Sequence, residues 1–425
     1  IIELNIYENI ELPYLTGYVL VNDDIDLLNI INFSGTERLE ITISLPGNTK
    51  SLVKKFVVEK IENVSKVNDY KQIITLKLIE EHAFNSRLVR FSKAYTGKPE
   101  KIIEKVLKDQ LQVELLNLTR LSSQLDMKVV IPYMTPLQSC EWMRARTTTS
   151  NGSPYFLFSA LNESKLILKD LDTLFAEIPW NRNLNKPFVY SQQNANKFVS
   201  SSDIDKQSFI IQSFFHNNTE NSLQLAEQGT FGAQYGFTDL ASGVTEQQHF
   251  SVKDLIDKLR RAGLLLNRDM AIDPDYAFNG KAMPAYNSAY VHQVIHNNTY
   301  PDYPNYYQNS GGDINSYMLN AVNVALRSIL FKNTVQLHLP GLNFITGTNR
   351  SVGNMIDVHF FNSNLQLQTK SNIALEDLKD KKKSGEYLVY ATKHIFTLGK
   401  HNVVADAVKI TVDRGIDGGR TVRGV

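Results

Sequence analysis

A chain of 425 residues exceeds what one hydrophobic core holds, since single cores stop growing near about 250–300 residues, so about three domains are expected. Lys plus Arg total 45 against 44 Asp plus Glu, which leaves no net field to attract nucleic acid or an anionic membrane. The single cysteine, Cys140, cannot form an internal disulfide and lacks the Cys or His neighbours of a zinc or redox motif, which excludes a disulfide-stapled secreted scaffold.

The N-terminal IIELNIYENIEL has no basic region followed by an apolar one, and no run of about 18 apolar residues marks a membrane span. The chain therefore reads as soluble, without signal peptide or membrane anchor, and as starting after a removed Met or propeptide. Strand-period alternation dominates the first ninety residues: Ile2, Leu4 and Ile6 against Glu3 and Asn5, then Leu39, Ile41, Ile43 and Leu45 against Glu40, Thr42 and Ser44, ending at the turn pair Pro46-Gly47. In KFVVEKIENVSKVNDYKQIITLKLIE, residues 55–80, two β-branched runs flank Asn63–Lys71, which predicts a hairpin with a long polar loop.

The period then changes. GKPEKIIEKVLKDQL predicts a helix with Pro99 in its first turn and an apolar stripe of Ile102, Ile103, Val106, Leu107 and Leu111. Thr135-Pro136 opens a second helix that runs through Cys140 to about Arg146. Short strands follow in SPYFLFSA and SKLILKDL, and 96–198 reads as one α/β domain. Strand signals resume at FIIQSFF and QGTFGAQYGF, interrupted by a helix from Ser251, with Ser251 and Asp254 as its capping start. Residues 267–316, rich in Tyr, Asn and Pro, carry neither period and predict an irregular excursion. A helix at about 315–331 with Met318, Val322, Leu326 and Ile329 on one side precedes strands at Val335–Leu339 and Met355–Phe361 and a last hairpin.

That last hairpin, YLVYATKHIFTLGKHNVVADAVKITVD, matches the first in length, polar centre and alternating second arm, with Val408, Ile410 and Val412 against Ile74, Leu76 and Leu78. Each follows a cleanly alternating strand, LEITISL or MIDVHFF, and QTKSNIALEDLKDKKKSGE before the second reads as a solvated insertion. Two antiparallel hairpins can look alike without kinship, so the match is a lead toward internal duplication. His394 and His401 border the loop Thr397–Asn402, His338 and His359 take the polar phase of their strands, and turn or surface positions explain all four.

No motif carries chemistry. His292 and His296 in HQVIH have metal-ligand spacing, but Gln293 stands where a zinc protease needs Glu. Asp269, Asp273 and Asp275 are interrupted by Pro274 and lack the Gly and closing Glu of a calcium loop. Gly229, Gly232 and Gly236 lack the Lys-Ser of a phosphate cradle and read as turns or bulges; Glu80-Glu81 reads as a strand end. Seven tyrosines between 286 and 317 pack the excursion or meet a sugar or protein partner. Asn63, Asn117, Asn162, Asn217 and Asn297 match the glycosylation pattern by chance, given no secretory signal. No catalytic, cofactor-binding or metal residue is assigned.

With its elements in this order the chain resembles the central baseplate hub protein of contractile-tailed phages, related to the core of type six secretion spike proteins. The resemblance is carried by FVVEKIENV…IITLKLIEEHAF, VRFSKAYTGKPEKIIEKVLKDQL, TPLQSCEWMRARTTTSNGSPYFLF, and NVALRSILFKNTVQLHLPGLNFITGTNRSVGNMIDVHFF with GEYLVYATKHIF…VKITVD. Residues 267–312 match nothing in it.

The resemblance implies a β-rich α+β chain: a first tube-like β-barrel domain at 1–95, the α/β domain at 96–198, and a second barrel from 199–250 and 313–415. An insertion at 251–312 and a flexible tail at 416–425 complete it. It further implies a homotrimer whose six barrels form a pseudo-sixfold ring between the hexameric tail tube and a separate trimeric spike, beside neighbouring baseplate subunits. The ring would sit in the virion's tail baseplate, assembled in the host cytoplasm. Polar faces such as those of Thr75 and Lys77, or Lys409 and Thr411, would line a channel passing DNA or a tape protein, with no enzyme activity and no cofactor. A peptidoglycan hydrolase and a receptor- or sugar-binding tail protein are the rival readings.

Overall fold

Alternating side chains build five antiparallel strands from the first eighty residues: β1 (Glu3–Asn9), β2 (Thr16–Asp23), β3 (Arg38–Ile43), β4 (Leu52–Asn68) and β5 (Lys71–Glu80). The computed structural model describes residues 1–31, 33–44, 51–68, 71–123, 126–145, 147–149, 153–184, 186–190, 207–218, 222–240, 243, 245–261, 276–295, 319–331, 333–346, 350–361, 379–380 and 383–409. The strands lie in the order β1-β2-β5-β4-β3. One phase of each forms a core around Ile6, Val19, Phe56, Val58, Ile74 and Leu78, all nearly inaccessible. The stretch Asn63–Asn68, expected as loop, is strand: β4 stays paired with β5 as far as Asn68↔Lys71. Its polarity reflects exposure of this arm.

Next come β6 (Phe91–Gly97), β7 (Leu115–Asn117), β8 (Met127–Met134), β9 (Tyr155–Phe158), β10 (Leu166–Asp170) and β11 (Phe188–Tyr190). The helices Pro99–Leu111 and Pro136–Ala145 stand where the sequence placed them. Ile102, Ile103, Val106 and Leu107 are buried with Cys140, Tyr155 and Leu168 in a core that also takes in Val57 of β4 and Ile79 of β5.

The remainder holds β12 (Ser213–Asn218), β13 (Gly232–Asp239), β14 (Thr245–Ser251), β15 (Ala277–Phe278), β16 (Lys281–Ala282), β17 (Ala289–Ile295), β18 (Asn333–Pro340), β19 (Asn354–Phe360), β20 (Gly385–Thr397) and β21 (Lys400–Lys409). Of residues 199–250, β12 joins the last strands. β13 and β14 instead form a separate sheet with β17, so part of the Tyr-rich excursion is ordered strand. Residues 262–275, 296–318 and 410–425, with the expected tail at 416–425, lie outside the described residues.

The order β12-β18-β21-β20-β19 repeats β1-β2-β5-β4-β3 strand for strand, every pair antiparallel. A short helix follows the second strand in each unit, Leu27–Ile30 and Leu342–Ile345. The Ile2 N–H donates to Leu20 O and the Gln212 N–H to His338 O at equivalent places. A bulge falls at the equivalent place in each, Glu59 in β4 and Tyr390 in β20, and β4 carries two more, at Glu62 and Val67, that β20 lacks.

The expected closed barrels are not formed among the described residues. In the first unit β1 and β3 do not pair, because β1 gives its second edge to β20 and joins both units in one sheet. In the second unit β11 lies parallel to β19, and the isolated bridge Val189↔Ile210 is the nearest approach to closure.

Candidate interaction surface: the seam between the units and two open strand edges

The units meet along seven Cα pairs, from Glu3↔Thr397 to Asn9↔Ala391. One edge of β20 serves two strands. Val389 and the residues before it pair with β19, Ala391 and those after it pair with β1, and the bulged Tyr390 between them accepts a hydrogen bond from Ile10 N–H at 3.0 Å. A bulge re-aims a strand, which lets one edge turn from one neighbour to another.

The seam encloses a polar cluster on the core side of the sheet. Glu8 and His394 are both fully buried, with His394 Nε2 at 2.8 Å from Glu8 Oε2. The Ser351 and Thr392 hydroxyls donate to the same oxygen, and Leu161 N–H reaches Glu8 Oε1 at 2.5 Å. Burial alone would raise the Glu8 carboxyl, but the His394 charge and the hydrogen bonds from His394, Ser351 and Thr392 outweigh it and hold the group down to about 2. On the other side of His394, His401 Nε2 stands 3.1 Å from Nδ1. Burial, then the neighbouring His394, pushes His401 down to about 3.

These histidines are not the turn or surface residues expected. The hairpin turns tightly at Leu398-Gly399, with Thr397 still paired to Lys400, and His394 lies deep in the strand. The missed residue is Glu8, and a signal existed: it continues the apolar phase Leu4, Ile6 on β1, where a charge needs a buried partner.

A second ionic cluster braces the β1–β2 turn. Buried Arg144 contacts Glu141 and Glu11, and Arg327 reaches Glu11 and Tyr155 O, tying the turn to the helices Pro136–Ala145 and Leu319–Leu330.

Each unit also presents an open edge. β3 covers β4 only from Leu52 to Val57, and past Glu59 no described strand takes the edge opposite β5. Likewise β12 pairs β18, and its other edge, which β11 meets at Phe209 and Ile211 just before it, is taken by no described strand from Ser213 onward. Both edges carry exposed apolar side chains, Phe215 (61% exposed) on β12 and Val64 (41%) and Val67 (59%) on β4. Their counterparts at the seam, Asn5 on β1 and His394 on β20, are buried.

The opposite face of the joined sheet is polar. Tyr7 meets Tyr18 edge to face, Lys393 Nζ lies 5.6 Å from the Tyr7 ring centre, Lys77 pairs with Glu59 at 3.1 Å, and Gln336 donates to Asp406 at 3.0 Å. A cavity of about 410 Å³ opens here between Tyr7, Tyr18, Gln336, Lys393 and Asp406. Thr75 and Lys77 share this face, through Lys77↔Tyr18. Lys409 does not: on β21 it continues the phase of buried Val403, Ala405 and Ala407 and stands opposite buried Tyr387. Thr411 lies outside the described residues.

The other singled-out residues stay apart. His292 is on β17, over Gly236, where a Cβ would stand 2.5 Å from its Nδ1, and it contacts Thr238 Oγ1 at 3.0 Å. Gly229 is a positive-φ turn residue. His359 meets Lys379 at 2.8 Å, and His338 lies on the polar face. Glu80 closes β5 and pairs with Lys54 at 3.3 Å. His296, Asn297, Asp269, Asp273 and Asp275 lie outside the described residues, among which no cluster of His, Cys, Asp and Glu fits a metal. No described helix is long and apolar enough to cross a membrane.

No protein-family model matches this chain, and no curated protein matches it significantly. Among solved structures it is similar to the tail protein from Neisseria meningitidis MC58, at 10% identity and TM-score 0.48, over 96% of this chain and 91% of that one. It is also similar to the 43 kDa tail protein of prophage MuSo2 from Shewanella oneidensis, at 8% identity and TM-score 0.46, over 96% and 93%. A third is the E. coli c3393 protein, a type VI secretion component described as similar to T4 tail proteins gp27 and gp5, at 7% identity and TM-score 0.43, over 98% and 76%. These structural neighbours are tail and secretion-system proteins.

Proposed function

We propose that this chain is the structural hub of a phage tail baseplate, a trimer in which each subunit contributes two tube-like units to a pseudo-sixfold collar. The collar joins a hexameric tail tube to a trimeric central spike, and neighbouring baseplate subunits surround it. The units are built from β1–β5 and from β12 with β18–β21. Its place is the virion tail, assembled in the host cytoplasm, and its work is done by surfaces, with no catalytic residue assigned.

One observation carries this reading: a single five-strand order occurs twice in the chain, with the same bulge and the same antiparallel pairings. Two like units in one polypeptide let threefold association present six near-equivalent positions, and heterologous contacts make a closed ring when their rotation closes. The polar face of the sheet, with paired charges and aromatic rings, suits a channel wall along which DNA or a tape protein slides without adhering. Native mass measurement should give three chains per particle, and electron microscopy with the tail tube protein should show capped tubes. A chain that stays monomeric and never caps tubes overturns the reading.

A further inference from the structure

The repeat relates every strand of one unit to a strand of the other, so the seam β1·β20 has a counterpart. Aligning the hairpins through their second arms, β5 with β21, and allowing for the extra bulge at Glu62 that β20 lacks, sets Val64, Ser65 and Lys66 of β4 in the places of His394, Ile395 and Phe396 of β20. The equivalent strands β1 and β12 place Phe214, Phe215 and His216 where Leu4, Asn5 and Ile6 stand. Within the chain Leu4, Asn5 and Ile6 pair with Phe396, Ile395 and His394. Their counterparts do not pair with one another: no described strand takes the end of β4 past Glu59 or the outer edge of β12 from Ser213 onward.

We propose that a second copy of this chain joins these edges, β12 of one copy adding antiparallel to the exposed arm of β4 of the next. This rests on the collar reading above and names the residues that build it. The register follows from the seam: Phe214 opposite Lys66, Phe215 opposite Ser65, and His216 opposite Val64. The chemistry is reused with the sides exchanged, since the seam sets Ile6 against His394 and the joint between copies sets His216 against Val64. The occupant is another copy because the exposed part of β4 starts at the same bulge that, on β20, hands the edge to β1. Unpaired strand edges with exposed Phe and Val are liabilities that proteins cover.

The test is a cysteine pair in the full-length chain, Ser65→Cys with Phe215→Cys, oxidised under native conditions. Directly opposed residues of an antiparallel pair come within disulfide range, and native Cys140 is buried. The monomer band is expected to give way to a covalently closed trimer that reducing agent dissolves. Neither single-cysteine variant, nor Phe215→Cys with Lys60→Cys, should do so. A charge test keeps the outcome separate from folding, because both positions are exposed. Ser65→Lys with Phe215→Lys should disperse the particle to monomers of unchanged melting temperature, and Ser65→Glu with Phe215→Lys should restore association. A trimer that refuses the cross-link and tolerates the paired lysines overturns the edge assignment and leaves the collar standing. Open ladders of cross-linked chains uphold the assignment and overturn ring closure, and a persistent monomer without cross-links overturns both.

Discussion

Glu8 and His394 hold the two units together from within. A carboxylate with no solvent contact needs its charge and its remaining lone pairs met, and here an imidazole, two hydroxyls and a backbone N–H meet them. Removing one partner of such a pair strands the other, so Glu8→Gln is expected to lower the unfolding free energy by about 3–5 kcal/mol in urea titrations. Acid should loosen the same seam in two overlapping steps. Unfolded chains protonate the His401 imidazole near its ordinary 6.5, whereas the folded chain keeps it neutral to about 3, so stability falls across that window as pH drops. Glu8 adds a loss between its ordinary 4.5 and about 2, where the unfolded state again binds the proton first. Urea midpoints measured against pH should therefore decline from about pH 6.5 downward, and His401→Phe should flatten the upper part of that decline. Cys140 is buried and its thiol is pushed far up by burial, so maleimide should label it only in denaturant.

Strands, more than residues, decide what the surface can do. The sequence of β4 from Asn63 on, polar and charged, reads as loop because loops and exposed strand arms share a composition; only its pairing with β5 distinguishes them. The alternation of β1, β3 and β5 was legible because apolar and polar side chains take opposite faces, and the stripe of the helix Pro99–Leu111 because one of its faces is buried. The kinship of the hairpins was legible too, in arm lengths and in the strand before each. The first strand of the second unit was legible as well, in FIIQSFF, although more than a hundred residues separate β12 from β18; what composition hid was that β13 and β14, from the same stretch, form a separate sheet with β17. Close strand approach also sets a limit at Gly17 on β2, where a Cβ would stand 2.7 Å from the Asn5 carbonyl oxygen. Gly17→Ala should cost about 1–3 kcal/mol, read as a lowered thermal midpoint, because backbone rather than a flexible side chain must give way.

At the scale of the molecule, near-neutrality and a mixed polar face go together. A net charge of +1 and the alternation of Lys77 with Glu59 and of Lys393 with Asp406 leave no stripe of positive potential for phosphates. The purified protein is expected to show no mobility shift with double-stranded DNA at about 150 mM salt, and tight binding there would contradict a non-adhering wall.

Sequence by itself determined the α+β, strand-rich character, the positions of most elements and the likeness of the two hairpins, because period and length are local properties that burial writes directly into residue order. Tertiary structure alone decided that β1 leaves its own unit to pair with β20, that Glu8 and His394 meet, and that no described strand covers the arm of β4 past Glu59 or the outer edge of β12. Strand pairing is a choice among distant partners, and a chain's local pattern is the same whichever edge is taken.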